Sequence, residues 1–191
     1  MYDSRLILNP RSRQIERELA DPYQMHRTIM RAFPADLPAD ERVLFRVDQV
    51  HGLVVLWVRS RHTPNWAHLG PPSDPGYLLP VAGPNPQVTP VALSLQPRER
   101  HRFLLRANPT VKRDGKRHGL HRLDEQRDWL ARKAGSAGFE PVELRIRPEG
   151  RDRTHIDRGE RVHQVALLAV RYAGILEVLD PTKLRTALAE G

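Results

Sequence analysis

Tyr23 and His26 lie three residues apart in the stretch DPYQMHRTIMRAF, residues 21–33. Asp21 is a good N-cap and Pro22 suits the first helical position, so the pattern predicts a helix that begins here. In such a helix the two side chains project about 60° apart. The first turn also carries free backbone N–H groups and the positive end of the helix dipole, which attract phosphate. An imidazole and a phenol in this position are able to act together on one bound phosphate group.

The same helix leaves a purely structural role for both residues open. Four apolar residues share the face that is expected to pack on a sheet: Met25, Ile29, Met30 and Phe33. His26 projects within this arc and Tyr23 lies at its edge. His26 is then either a core histidine or a group that transfers protons. The sequence does not decide between acid and base, because the helix dipole disfavours imidazolium and a bound phosphate favours it.

The stretch KRDGKRHGLHR, residues 112–122, is a second candidate site, called the basic finger below. It carries five Lys/Arg residues and two histidines around one acid. Asp114-Gly115 is a favourable two-residue turn, so the pattern predicts a projecting β-hairpin. A basic β-ribbon is able to enter a nucleic-acid groove or to bind phosphates on both sides of it. A solvated face would carry compensating acids, so the finger indicates polyanion binding, with a solvated loop as the alternative.

A further arginine-rich stretch follows the finger. Its arginines are Arg145, Arg147, Arg151, Arg153, Arg158 and Arg161. Four acids offset much of this charge: Glu149, Asp152, Asp157 and Glu160. The stretch therefore indicates polyanion binding less strongly than the finger does.

The composition narrows the class of protein. A formal net charge of +8 predicts attraction to polyanions, nucleic acid first, although genome composition also produces arginine-rich proteins. The absence of cysteine excludes disulfides and thiolate metal sites and fits the cytoplasm. No apolar run approaches the roughly 20 residues of a membrane span. The sequence also lacks a P-loop, an HExxH pair and a nucleophile elbow, so no metal or cofactor is expected.

Strands and helices alternate in the first half of the chain. The patterns predict a strand at 4–10, a helix at 12–20, the helix from Asp21, and an antiparallel pair at 42–49 and 52–60. Nine prolines between residues 63 and 97 exclude long regular elements there. We expect mostly loop in that segment, with a short strand near 91–95.

The second half repeats the order. It predicts a strand at 100–107, the finger, a helix in 122–139 ended by Gly135 or Gly138, three strands within 139–147, 160–172 and 174–180, and a last helix at 180–190. The fold expected is α+β, with two tandem ferredoxin-like (RRM-like) domains at 1–97 and 98–191. The second domain lacks its final strand in this chain, because that strand would follow Gly191.

Three segments carry a resemblance to a known family: DPYQMHRTIMRAFP, then RHRFLLRANPTVKRDGKRHGL with DEQRDWLARKAGSAGF, and finally HQVALLAVRYAGILEVLDPTKLRTALAEG. In the same order and at similar spacing, they resemble the CasE family of CRISPR repeat-processing endoribonucleases, which belong to type I-E Cascade complexes. Family members continue into a glycine-rich loop and a final strand, which this chain lacks.

The resemblance implies specific roles. His26 corresponds to the catalytic histidine, Tyr23 to its helper, and residues 112–121 to the hairpin inserted at the RNA stem. The family also places a basic residue from the second domain near the scissile phosphate, for which Arg158 and Arg161 are candidates. The residues expected to bind RNA are Arg27, Lys112, Arg113, Lys116, Arg117, His118, His121, Arg122 and Arg161.

The resemblance also implies a reaction and partners. The substrate is the CRISPR repeat stem-loop, cut at the 3′ base of the stem without metal to give a 2′,3′-cyclic phosphate and a 5′-hydroxyl. The partners are other Cascade subunits, especially the crRNA backbone subunit, with target DNA contacted only indirectly and no membrane. A non-catalytic subunit that holds an RNA hairpin is the competing class. An RRM-like single-strand binder is disfavoured because aromatic residues make up only 6% of the chain.

Overall fold

The computed structural model describes the backbone of residues 1–38, 41–158 and 161–190, together with their side chains except those of 151–158 and 161–167. The chain divides into two compact units: residues 1–92 with 189–191, and residues 93–188. No helix in the described ranges has the length and apolar character required to cross a lipid bilayer.

The first unit is a four-stranded sheet with two helices. Its elements are β1 (Tyr2–Leu8), α1 (Arg13–Ala20), α2 (Pro22–Met30), β2 (Leu44–Val50), β3 (Leu53–Ser60), a single 3₁₀ turn (Ala67–Leu69) and β4 (Gln87–Pro90). The strand order is β2-β3-β1-β4, and every neighbouring pair is antiparallel. Both predicted helices and the predicted antiparallel pair are present.

The core of this unit lies between one face of the sheet and the two helices. Leu6 and Leu8 of β1 alternate with residues on the opposite face, and both are fully buried against Ile15, Met25 and Ile29. The apolar face predicted for α2 is therefore the face that packs on the sheet.

The short strand of the proline-rich segment lies earlier than predicted. β4 covers Gln87–Pro90 and not residues 91–95. Pro90 is tolerated because β4 is an edge strand, which pairs with β1 alone among the described strands. Leu93 and Leu95 instead pack in the core of the second unit, and their carbonyl oxygens accept hydrogen bonds from the Arg185 guanidinium. These contacts hold residues 93–95 against the last helix and not in a sheet.

The second unit contains a three-stranded sheet, a separate hairpin and two helices. Its elements are β5 (Arg100–Ala107), β6 (Thr110–Arg113), β7 (Lys116–Gly119), α3 (Leu123–Ser136), β8 (Phe139–Arg158), β9 (Arg161–Val178) and α4 (Pro181–Glu190). The sheet order among the described residues is β5-β9-β8, with antiparallel pairing throughout. The core of this sheet lies on the face covered by α3 and includes Leu130 and the fully buried Tyr172.

Two long strands replace the three predicted in the C-terminal half, so that prediction was wrong. β8 continues through the charged segment after Pro148, because a bulge between Pro148 and Gly150 lets the ladder resume. Gly150 adopts a φ of +99°, which favours glycine. Gly174 lies inside β9, where a Cβ atom would overlap the carbonyl oxygen of Glu143 on β8. A glycine there marks close approach of two strands and not the end of one.

Candidate RNA-binding and catalytic sites

The start of α2 has the predicted geometry. Asp21 is the N-cap: its Oδ1 accepts a hydrogen bond from the backbone N–H of Tyr23, at 3.0 Å, and Pro22 follows as the first helical residue. This cap fixes Tyr23 and His26 in the first two turns, both half-buried, while Arg27 is exposed. Tyr23 and His26 therefore share one helix start that is accessible to solvent.

The surroundings of the His26 imidazole combine features of the two roles that the sequence left open, a core histidine and a group that transfers protons. It stacks on Phe45 of β2, with ring centroids 6.2 Å apart and planes inclined by 24°. Burial lowers the pKa of His26, because the apolar surroundings disfavour the charged ring. No described residue hydrogen bonds to this ring. One side of the imidazole thus packs on the edge of the core, and its nitrogens stay available to a ligand.

A buried carboxylate holds α2 in place. Glu18 of α1 is only 5% exposed and accepts hydrogen bonds from the Thr28 hydroxyl at 2.6 Å, the Tyr77 hydroxyl at 2.7 Å and the Gln14 amide at 2.8 Å. Burial, and then Glu18 itself, raises the pKa of Tyr77 well above its ordinary value. The helix that carries His26 is therefore tied to α1 and to the proline-rich segment. Sequence reasoning missed this network, since its members lie up to 59 residues apart.

The proline-rich segment contacts α2 at a second point. Nε2 of His68 lies 3.1 Å from the backbone carbonyl oxygen of Thr28, so this nitrogen carries the proton and donates it. The ring of His68 also lies against Trp66, with 6.2 Å between centroids. Residues of the loop therefore position the helix from outside the sheet.

The basic finger is a hairpin, as predicted. Asp114 and Gly115 adopt φ values of +49° and +74°, the two positive angles that a tight hairpin turn of this kind requires. The strands β6 and β7 pair from Thr110 opposite Gly119 to Arg113 opposite Lys116. Every residue from Lys112 to Gly119 is exposed.

Like charges face each other across this hairpin. Lys112 lies directly opposite Arg117, and Arg113 lies directly opposite Lys116. Because alternate residues point to opposite faces, each face carries one of these pairs, and His118 joins the second face. Like charges directly opposite destabilise a strand pair, and these four cations have no ion pair with any described residue. Such an arrangement is typical of a surface that binds a polyanion from both sides.

The remaining predicted residues fall in different surroundings. His121 is exposed at the end of the finger, whereas the Arg122 guanidinium binds the Asp124 carboxylate, with 2.9 Å between Nη2 and Oδ2. Arg158 and Arg161 end β8 and begin β9, but their side chains lie outside the described residues. Among the side chains that the structure describes, no three His, Asp or Glu residues group in a way that would hold a metal ion.

Known proteins match this chain over its whole length. A family model described as "CRISPR associated protein" matches residues 1–191. The CRISPR-associated endoribonuclease Cse3 of Thermus thermophilus is 34% identical, and the match covers 100% of this chain and 92% of that protein. The structure of a Cse3 endoribonuclease bound to a 19-nucleotide RNA has a TM-score of 0.83 at 32% identity, covering 100% and 92% of the two chains. The T. thermophilus Cse3 structure with an RNA representing a pre-cleavage complex has a TM-score of 0.78 at 32% identity, covering 100% and 91%.

The fold, the finger and these matches place the chain among the CRISPR-associated RNA-binding proteins. Within that class it belongs to the Cse3 family of endoribonucleases, also called Cas6e or CasE. The resemblance drawn from the sequence is thereby confirmed, as is the α+β fold.

Proposed function

We propose that this protein is a metal-independent endoribonuclease that binds the CRISPR repeat stem-loop and cleaves precursor crRNA at the 3′ base of the stem. The Cse3 relatives, named as endoribonucleases and solved with RNA, support the substrate class. The observation that carries the proposal is the environment of His26 at the capped start of α2. The ring is half-buried, burial lowers its pKa, and no described residue hydrogen bonds to its nitrogens.

RNA supplies its own nucleophile, so the site has only to align it and move a proton. In the proposed step the 2′-oxygen forms a bond to phosphorus and the bond from phosphorus to the 5′-oxygen breaks. His26 makes one of the two proton transfers, from the 2′-hydroxyl or to the departing 5′-oxygen, and solvent water makes the other, while Tyr23 orients the attacking hydroxyl. The products are a 2′,3′-cyclic phosphate, which keeps the single negative charge of the phosphodiester, and a 5′-hydroxyl. The step needs no metal ion.

The finger holds the stem in this proposal. Its residues Lys112, Arg113, Lys116, Arg117, His118 and His121 bind phosphates on both sides of a groove, and Arg27 and Arg122 add contacts at the edge. A cation of the second unit, Arg158 or Arg161, stabilises the charge on the phosphorane.

We further propose that both units are ferredoxin-like domains, with the boundary near residue 92 instead of at the predicted 97/98, because Leu93 and Leu95 pack in the core of the second unit. The order β2-β3-β1-β4 and the antiparallel pairing of the first unit support this, and β5-β9-β8 matches three strands of the same order. The product stays bound, and the protein acts in the cytoplasm as a subunit of Cascade next to the crRNA backbone subunit. Target DNA is contacted only through that complex.

A cleavage assay with repeat RNA in EDTA tests the enzymatic proposal. We expect cleavage by the unmodified protein and a loss of about 10²- to 10⁴-fold in His26→Ala, the range typical of a missing general acid or base. His51→Asn is the matched control, because His51 is exposed in the turn between β2 and β3 and asparagine tolerates its φ of +50°. Tight binding without cleavage by the unmodified protein would instead establish a non-catalytic hairpin-binding subunit. Unchanged cleavage in His26→Ala would remove His26 from the mechanism.

A further inference from the structure

The β5-β9-β8 sheet has one face that the helices of its unit do not cover. Along β5, Phe103, Leu105 and Ala107 turn to the core, whereas the residues between them are exposed. The exposed series is Arg100, Arg102, Leu104 and Arg106. This alternation defines an outer face of the sheet, and most of what β5 places on it is charged.

The strand register brings arginines from three distant segments together on this face. Arg106 of β5 lies opposite Arg171 of β9, which in turn lies opposite Arg147 of β8. One row further along, Arg145 follows on β8, opposite Ala173. These four arginines form the positive half of the outer face.

The described carboxylates compensate the charge of this half only in part. The Glu149 carboxylate binds Arg106, at 2.8 Å from its Nε, and also binds Arg171. Burial raises the pKa of Glu149, but the hydrogen bonds from these two arginines outweigh it and keep the pKa below its ordinary value. Arg145 and Arg147 are exposed and have no ion pair with any described residue. Arg145 and Arg147 are therefore the two arginines of this half that no described carboxylate binds.

The other half of the outer face has little net charge. Glu140 of β8 and Glu177 of β9 lie opposite each other, Glu143 is one row away, and Arg100 and Arg102 of β5 lie in the same two rows. Arg100 is bound to Glu177 at 2.9 Å. A polyanion on this face is therefore attracted to the end that carries Arg145 and Arg147.

The position of the positive half, next to the finger, indicates which kind of polyanion binds there. β5 runs towards the finger, and Arg106 precedes the first finger strand by only four residues along the chain. Arginines two residues apart on a strand are about 7 Å from each other, and each presents a fork that binds a phosphate bidentately. No aromatic residue lies on the outer face among the described positions of these strands, so base stacking is absent and the backbone is what is recognised.

We propose that this positive half binds the phosphates of the single-stranded RNA that adjoins the stem, an inference that rests on the proposed function. Arg145 and Arg147 make the direct contacts, and Glu149 limits the charge that Arg106 and Arg171 present. The finger binds the duplex, and the outer face binds the strand that leaves it.

The test compares two RNAs, the bare repeat hairpin and the same hairpin with single-stranded flanks, in a His26→Ala background that prevents cleavage. We expect the flanks to increase the affinity of the parent protein. In Arg145→Gln/Arg147→Gln this increase in affinity should fall by about five- to tenfold. The slope of log K against log[salt] for the flanked RNA should also become shallower by about 1.4, because each single-strand phosphate that is no longer neutralised contributes about 0.7 to the slope. Affinity for the bare hairpin is unchanged.

Two further variants sharpen the result. Arg100→Gln/Arg102→Gln removes the same charge from the other end of the same face and keeps the full effect of the flanks. Glu149→Gln removes the compensating carboxylate and increases the effect. An equal gain from the flanks in the parent and in Arg145→Gln/Arg147→Gln overturns the inference, and would leave this face to a partner other than RNA. Failure of the parent to bind the bare hairpin is a separate result, which would overturn the proposed function instead.

Discussion

The imidazole of His26 lies nearly parallel to the phenyl ring of Phe45, 6.2 Å from it, across the gap between α2 and β2. Burial lowers the pKa of His26, and the phenyl ring is one of the apolar groups that exclude water from the imidazole. A ring held neutral at pH 7 is able to accept a proton from a ribose hydroxyl without first losing one of its own.

Replacing Phe45 by Ala should raise the pKa of His26 towards its ordinary value, since water then reaches both faces of the ring. NMR titration of the His26 ring protons measures the shift. Phe45→Leu, which keeps an apolar side chain over the ring, should leave most of the depression in place. Equal pKa values in the parent and in Phe45→Ala would mean that this contact does not set the protonation of His26.

The lowered pKa of His26 also determines how the stability of the folded protein changes with pH. Between the folded pKa of His26 and the unfolded value of about 6.5, the unfolded chain binds more protons. His26 therefore costs stability as the pH falls through this window, and the cost should shrink in Phe45→Ala. Urea denaturation of the two proteins at pH 8 and pH 5 provides the comparison.

Reversing one charge of the finger should separate stability from binding. Arg117→Glu turns the like-charged pair with Lys112 into an attractive pair, so the hairpin should gain about 0.2–1 kcal/mol while affinity for repeat RNA falls. Filter binding across a salt series measures the affinity, and thermal unfolding measures the stability. Arg98→Glu, the same change of charge outside the finger, is the control. RNA affinity equal to that of the parent would exclude the finger from binding.

Removing the Tyr77 hydroxyl should weaken the first unit. Tyr77→Phe takes one of three hydrogen bonds from the buried Glu18 carboxylate, and a hydrogen bond to a charged group contributes about 1.5–3 kcal/mol. Urea denaturation should detect this loss, whereas Tyr2→Phe at the half-buried start of β1 should change little. If α2 is held by this network, cleavage by Tyr77→Phe should also slow. A stability equal to that of the parent would show that Glu18 does not need this donor.

The two glycines Gly174 and Gly135 should respond in opposite directions to replacement by Ala. A Cβ at Gly174 overlaps the backbone of Glu143, so Gly174→Ala should cost about 3 kcal/mol. Gly135 lies in α3 with open space around it, and Gly135→Ala should gain about 0.4–1 kcal/mol. Thermal unfolding of both variants gives the answer, and a stable Gly174→Ala would mean that β8 and β9 are able to separate at this point.

Elements with strong local signals were predictable from the sequence. Asp21-Pro22 specifies where α2 begins, and Asp114-Gly115 specifies the turn of the finger, because each pair of residues has its own backbone preference. The family resemblance rests on these same segments. Where the signal is local, a single chain is enough to find it.

Features that depend on distant partners were not predictable. A strand was predicted at residues 91–95, but Arg185 from the last helix binds the carbonyls of Leu93 and Leu95. A strand break was predicted between residues 172 and 174, but β9 continues there, and the role of Gly174 is set by Glu143, 31 positions earlier. Likewise, Arg145 and Arg147 carried a weak signal in sequence because acids follow them closely, and only the register shows that they share a face with Arg106 and Arg171.

The paired cations of the finger have one more consequence. Free in solution, the hairpin holds its strands together against its own electrostatic repulsion, and dissolved anions have to supply the balance. In the proposed complex RNA supplies that balance from a single chain of phosphates, so part of its binding energy would be the relief of this repulsion. The hairpin should therefore be most rigid when it is occupied, and ordinary buffer salt should act on the shape of the free finger as well as on its affinity.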